Sequence, residues 1–139
     1  MIMELLIAAS LLLGSTIILL SAVGIIRLPD AVSMEEAAMT EPAAVALHAA
    51  RRASVRLGDT VAIFGLGPIG LMLAQWLKSM GASKIFLFDL VEGKLDLARK
   101  LGFDLVYNSR EKDPRTVIEE VTGGRGVHVA FEAAGVPPT

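Results

Sequence analysis

Residues 61–70 read VAIFGLGPIG, an apolar run that breaks into a G-x-G-x-x-G loop, and the segments around it constrain the fold more than any other feature. A glycine-rich turn alone says little, because many loops need glycine for backbone reasons. Here Val61, Ile63 and Phe64 form the short apolar run of a strand buried on both faces. IGLMLAQWLKSMG follows, helical in composition and stopped at Gly81, and SKIFLFD then gives a second strand ending on Asp89, 19 residues beyond Gly70. Strand, loop, helix, strand and acid are in the register of a dinucleotide-binding unit. In such a unit Gly65 permits the tight turn off the strand, Gly67 lets the backbone approach a pyrophosphate, and Gly70 lets the helix pack close to the sheet. Pro68 suits the first helical turn. A phosphate would sit against the unpaired N–H groups and positive dipole end of that helix, and Asp89 would accept hydrogen bonds from an adenosine ribose.

The alternation continues downstream. VEGKLDLARKLG reads as a second amphipathic helix stopped by Gly102, and DLVYN as a third strand. DPRTVIEEVTGG is a third helix with Asp113 as its cap, Pro114 at its start and Gly123-Gly124 at its end, and VHVAFEAAG is a fourth strand. Strands alternating with helices imply right-handed crossovers and a parallel sheet, hence an α/β chain holding four strands of a Rossmann-type fold in the order 3-2-1-4. The fourth strand then lies at an edge with neither proline nor lysine to blunt it, which points to self-association there. Upstream, Gly58-Asp59 is a turn, and Ser33 with Glu36 is a capping-box pair that opens a helix. Pro42 should break or restart that helix after Glu41. The domain expectation is a helical lead-in over 27–56 and a partial dinucleotide-binding domain over 57–139.

The first 26 residues need a separate reading. Residues 5–26 carry no charge over 22 positions, and a helix of that length would be about 33 Å long, enough to span a bilayer. The chain is 53% hydrophobic with mean hydropathy +0.59, an excess concentrated in this segment. Arg27, Arg51, Arg52 and Arg56 on its C-terminal side place residues 27–139 in the cytoplasm by the positive-inside tendency. The expected location is membrane-anchored, or cytoplasmic if the N-terminal segment is a fusion artefact. With a net charge of −2 and no basic block interleaved with aromatics, nucleic acid is not a partner. Zero cysteines exclude disulfides, thiolate nucleophiles and cysteine-based zinc sites.

From about Arg27 to Thr139 the chain resembles the middle of a medium-chain zinc-dependent alcohol or polyol dehydrogenase, in the sorbitol and galactitol-1-phosphate dehydrogenase branch. LPDAVSMEEAAMTEPAAVALHA, GDTVAIFGLGPIGLMLAQWLKSMGASKIFLFDLVEGKLDLARKLG and FEAAGVPPT carry the resemblance. It implies hydride transfer between a zinc-bound alcohol and NAD. Gly65, Gly67 and Gly70 match the pyrophosphate loop, Ile69 the side chain that backs the nicotinamide, Asp89 the ribose-binding acid, and Lys94 a basic residue reaching the adenosine ribose. Asp89 favours NAD over NADP, since its charge would repel a 2′-phosphate and no arginine directly follows it. Glu41 matches the glutamate beside the catalytic zinc, but one carboxylate cannot hold the metal, so zinc is not expected in this chain. His48, alone in an Ala-rich helix, is expected to be packed or solvated. The family's zinc-ligand region and the second half of its dinucleotide fold have no counterpart here. The resemblance therefore implies a truncated chain without catalytic residues, inactive alone and weak in NAD binding. A different class of function is a membrane-anchored subunit whose nucleotide-type domain serves regulation or assembly. Residues 1–30 are similar to the first membrane helix of a sodium/proton antiporter G subunit, and the two resemblances meet at RLPD, as in a joined reading frame.

Overall fold

A computed structural model of the chain describes residues 29–135. They belong to two compact units, with the chain boundary between Ala38 and Met39. Among the described residues the first holds one short helix, α1 (Met34–Ala38). Its start is the capping box foreseen in the sequence: the Ser33 N–H donates to the Glu36 carboxylate at 2.8 Å, and the Glu36 N–H donates to the Ser33 hydroxyl at 3.1 Å.

The second unit opens with α2 (Thr40–Arg52). Pro42 does not break it, contrary to the sequence reading. The interruption falls earlier, at Met39, and Pro42 sits in the first turn, where N–H groups have no intrahelical acceptor to lose. There follow β1 (Thr60–Phe64), α3 (Pro68–Ser79), β2 (Lys84–Asp89), α4 (Glu92–Lys100), β3 (Val106–Asn108), α5 (Pro114–Thr122) and β4 (Val129–Glu132). The strands form one parallel sheet in the order β3-β2-β1-β4, as the alternation predicts. Asp113 caps α5 by accepting the Thr116 N–H at 2.9 Å, and Gly123, at φ +62°, ends it in the left-handed conformation.

The pleat sends alternate residues of β1 and β2 to opposite faces. Val61, Ile63, Ile85 and Leu87 face one side, where they share a core with Leu73 and Leu77 of α3, Leu95 of α4, and Ala46 and Ala50 of α2. Those two alanines are fully buried, and the absence of larger side chains lets α2 lie close to α3. The Trp76 indole N–H, from α3, donates to the Ala43 carbonyl at 3.0 Å and fixes the pair. On the other face Ala62, Phe86 and Phe88 pack with Val117 of α5. Phe88 is the centre of an aromatic row there, stacked on Phe64 at 5.1 Å and on Tyr107 at 5.8 Å between ring centroids. Helices therefore cover both faces of the sheet, which is why the middle residues of the central strands, 61–64 and 85–88, are apolar on both faces.

The membrane-anchored location expected from the sequence needs correction. Among the described residues no helix is long and apolar enough to cross a membrane. The apolar run 5–26, on which that expectation rested, lies outside the described residues.

Candidate functional site

Phe64 and Phe88 are partners in the parallel ladder, so β1 and β2 end level with each other and deliver Gly65 and Asp89 side by side at the carboxyl edge of the sheet. This edge, next to the point where the strand order turns back from β1 to β4, is where open α/β sheets bind ligands.

The three glycines of the loop have different reasons to be there. Gly65 has φ +95°, and its N–H donates to the Phe88 carbonyl at 2.8 Å. A Cβ on it would press into the Ala133–Ala134 backbone. A Cβ on Gly70 would run into the Gly65 carbonyl, so this position lets α3 approach the end of β1. Gly67 differs from both: its backbone is extended (φ −71°, ψ −175°), and a Cβ there would meet nothing within 4 Å. The space beside Gly67 is open to a ligand, and the first N–H groups of α3 have no intrahelical acceptor.

Asp89 is buried, its side chain 7% exposed. One carboxylate oxygen accepts the Leu66 N–H at 2.7 Å, across the loop, and the other accepts the Leu90 and Val91 N–H groups at 2.8 and 2.9 Å. Lys94, half-exposed on α4, reaches the first oxygen at 3.5 Å. Burial pushes this carboxyl up, but the Leu66, Val91 and Leu90 N–H groups and the Lys94 charge outweigh it and hold the pKa below the usual aspartate value. Asp89 therefore clasps the glycine loop to the end of β2 and the start of α4, a role the sequence reading missed. Nothing in the sequence pairs Leu66 with Asp89. An aspartate at a strand end just before a helix hints only at the two local bonds.

Gly67, Asp89, Leu90, Val91, Lys94 and Ser109 line a cleft of about 310 Å³. Four of the predicted site residues thus lie around one cleft, since Gly65 lines it as well. Gly70 is buried behind the loop, and Ile69 stands 41% exposed on the first turn of α3, outside the cleft lining. Glu132 is a further contributor that sequence reasoning overlooked. Its carboxylate accepts the Ala134 N–H at 2.7 Å and the Gly135 N–H at 3.2 Å, shaping the loop that covers Gly65. Glu41 and His48 are exposed on α2. Among the described residues no three His, Cys, Asp or Glu side chains converge as a metal site. Residues 29–135 therefore do not fit a zinc centre by themselves.

Comparison with known proteins gives the family. The family described as zinc-binding dehydrogenase matches residues 68–139. Sorbitol dehydrogenase of Bacillus subtilis is 43% identical over 96 residues, which are 69% of this chain and 27% of that enzyme. The (R,R)-butanediol dehydrogenase of the same organism is 45% identical over 96 residues, 69% of this chain and 28% of the enzyme. The crystal structure of 2R,3R-butanediol dehydrogenase from Bacillus subtilis superposes with a TM-score of 0.70 at 42% identity, covering 81% of this chain and 32% of that one. An Escherichia coli oxidoreductase of unknown specificity superposes with a TM-score of 0.74 at 38% identity, covering 78% and 31% respectively. The chain thus spans 27–32% of the length of these relatives, which are oxidoreductases. The suggested likeness of residues 1–30 to an antiporter subunit finds no support in these comparisons and concerns mostly residues outside the described ones. On sequence and fold together, the chain belongs to the zinc-binding dehydrogenase family.

Proposed function

We propose that this chain provides the NAD-binding part of an alcohol or polyol dehydrogenase, with the binding domain running over 57–139. The observation that carries this reading is the carboxylate of Asp89, fixed at the end of β2 by three backbone N–H groups, sharing a cleft of about 310 Å³ with the unobstructed backbone of Gly67. The pyrophosphate lies over the open backbone of Gly67 against the start of α3, with Gly65 making the turn that leads there and Gly70 holding that helix to the loop. The adenosine ribose diol lies on Asp89 beside Lys94, and Ile69 backs the nicotinamide. The Asp89 charge favours NAD over NADP.

The reaction proposed for the whole protein is hydride transfer between a secondary alcohol and NAD, as the names of the relatives suggest. None of the described residues takes a catalytic role in this reading, and Glu41 is no zinc ligand. Zinc would polarise the alcohol in the family's chemistry, from donors that residues 29–135 do not supply. We therefore read the chain by itself as inactive toward alcohols. It also associates with a second copy through β4, which among the described residues pairs with β1 alone. Calorimetric titration of the full chain with NAD and with NADP tests the cofactor assignment. Saturable binding of NAD near the millimolar range, about 4 kcal/mol, with NADP clearly weaker, is the expected result. Equal binding of the two, or no binding of either, would refute it.

A further inference from the structure

The opposite edge of the sheet, where the strands begin, encloses a second cavity of about 260 Å³. Thr60 opens β1, Lys84 opens β2, and Arg125 and His128 lie in the connection from α5 to β4. β1 is five residues long, so about 16 Å of strand separates this cavity from the glycine loop. Its polar side chains are Thr60, Ser83, Lys84, Thr122, Arg125 and His128, and no carboxylate lines it.

The hydroxyl groups are largely occupied. Ser83 donates to the Gly58 carbonyl at 2.7 Å, and Thr122 donates to the Ile118 carbonyl at 2.6 Å while accepting the Gly126 N–H at 3.0 Å. The capacity that remains is donor capacity. Arg125 Nε donates to the Thr122 carbonyl at 3.0 Å, which anchors the guanidinium and leaves its terminal fork unengaged among the described residues. His128 Nδ1 accepts the Thr60 N–H at 2.9 Å, so the neutral ring must carry its proton on Nε2 and can only donate there. Among the described residues neither Lys84, Arg125 nor His128 forms an ion pair. The C-terminal end of α5 opposes an anion, but its dipole amounts to about half a charge against two full cations.

We propose that this cavity binds a phosphate group. The guanidinium fork suits bidentate contact with two oxygens of one ligand, while the Lys84 ammonium supplies donors from the start of β2 and the His128 Nε2–H one more from the connection that also holds Arg125. A tetrahedral oxyanion can satisfy all three side chains at once, whereas a carboxylate has only two oxygens. The volume exceeds what a bare phosphate fills, leaving room for a small esterified group. The site is separate from the cofactor cleft, and its test does not depend on NAD binding.

The experiment follows the His128 ring and Arg125 side-chain nitrogens of the isotope-labelled full chain by NMR at constant ionic strength. Inorganic phosphate and glycerol phosphate are titrated in parallel, with chloride as the control anion. The expected result is a saturable shift at His128 for phosphate, with affinity reduced roughly tenfold in Lys84→Gln and again in Arg125→Gln. Arg125→Lys, which keeps the charge, should lose less than Arg125→Gln and keeps the test readable if the neutral variant melts earlier. Tighter binding of glycerol phosphate identifies an esterified ligand, and tighter binding of inorganic phosphate a free one. A shift that never saturates, that chloride reproduces, or that survives in the Lys84→Gln/Arg125→Gln double variant would overturn the proposal.

Discussion

The glycine loop makes a prediction that separates folding from binding at neighbouring positions. At Gly67 the backbone is extended, and a Cβ would have no neighbour within 4 Å. Gly67→Ala should therefore fold as well as the wild type, or gain about 0.4–1 kcal/mol because alanine has fewer unfolded conformations to lose. At Gly70 alanine would gain up to about 1 kcal/mol of helix propensity. Its methyl, however, would collide with the Gly65 carbonyl, and backbone on backbone cannot yield cheaply. Overpacking of this kind costs about 1–3 kcal/mol, so the net should be a loss of up to about 2 kcal/mol. Gly65→Ala combines φ +95° with a clash against Ala133–Ala134 and should cost at least as much. Urea unfolding of the three variants measures these differences, and NAD titration measures the other half of the prediction. Gly67→Ala should weaken NAD roughly tenfold at unchanged stability, because its methyl fills the space through which a pyrophosphate meets the backbone. Stable Gly67→Ala protein that binds NAD as well as the wild type would refute the assignment of this loop to the phosphates. A Gly70→Ala variant as stable as the wild type would refute the packing argument.

Asp89→Asn should cost about 2–3 kcal/mol at neutral pH, because one amide oxygen replaces two carboxylate oxygens that accept three N–H groups. Since the native pKa is depressed, the contribution of Asp89 is complete above the unfolded value of about 3.9 and is lost as the pH falls through the lower native value; the variant should lack this acid limb in denaturation curves. Trp76→Phe removes the bond to the Ala43 carbonyl and should lower stability by about 1 kcal/mol in urea unfolding, with NAD binding unaffected. For β4, the His128 N–H donates to Thr60, so the Val129 N–H points to the open edge. Val129→Pro should then shift the chain toward monomer in sedimentation analysis without breaking the β1 pairing, and an unchanged mass distribution would count against edge association.

The sheet was legible because each local signal agreed with its neighbours. Apolar runs of strand length and glycine stops repeat along the chain, Asp113-Pro114 marks one helix start, and the chirality of crossovers leaves few ways to assemble them. The order β3-β2-β1-β4 followed from that. Legibility failed where contacts join residues far apart. The Leu66–Asp89 bond spans 23 residues and the Thr60–His128 bond 68, and no periodicity encodes either. It also failed at Pro42, where composition suggested a break but position in the turn decides whether proline is tolerated. The long apolar run at the N-terminus illustrates a third limit: length and hydropathy set what a helix could span and do not by themselves establish a location.

If the loop holds NAD as proposed, Asp89 bears most directly on how it does so. A carboxylate offers about four acceptor positions, and three are already taken by the N–H groups of Leu66, Leu90 and Val91. The fourth lies on the oxygen that Lys94 approaches at a distance too long for a strong bond. A ribose diol therefore finds one acceptor ready and must share a second with the loop. That arrangement favours geometry over strength. The three fixed bonds hold the carboxylate oxygens in place before a ligand arrives, so little freedom is lost on binding, but little unsatisfied charge remains to draw the ligand in. One of those bonds ties Leu66 to the end of β2, so a substitution at Asp89 disturbs the position of Gly67 as well as the proposed ribose contact. Loss of NAD binding in Asp89→Asn is thus interpretable only beside Gly67→Ala, which perturbs the phosphate contact and leaves the clasp intact.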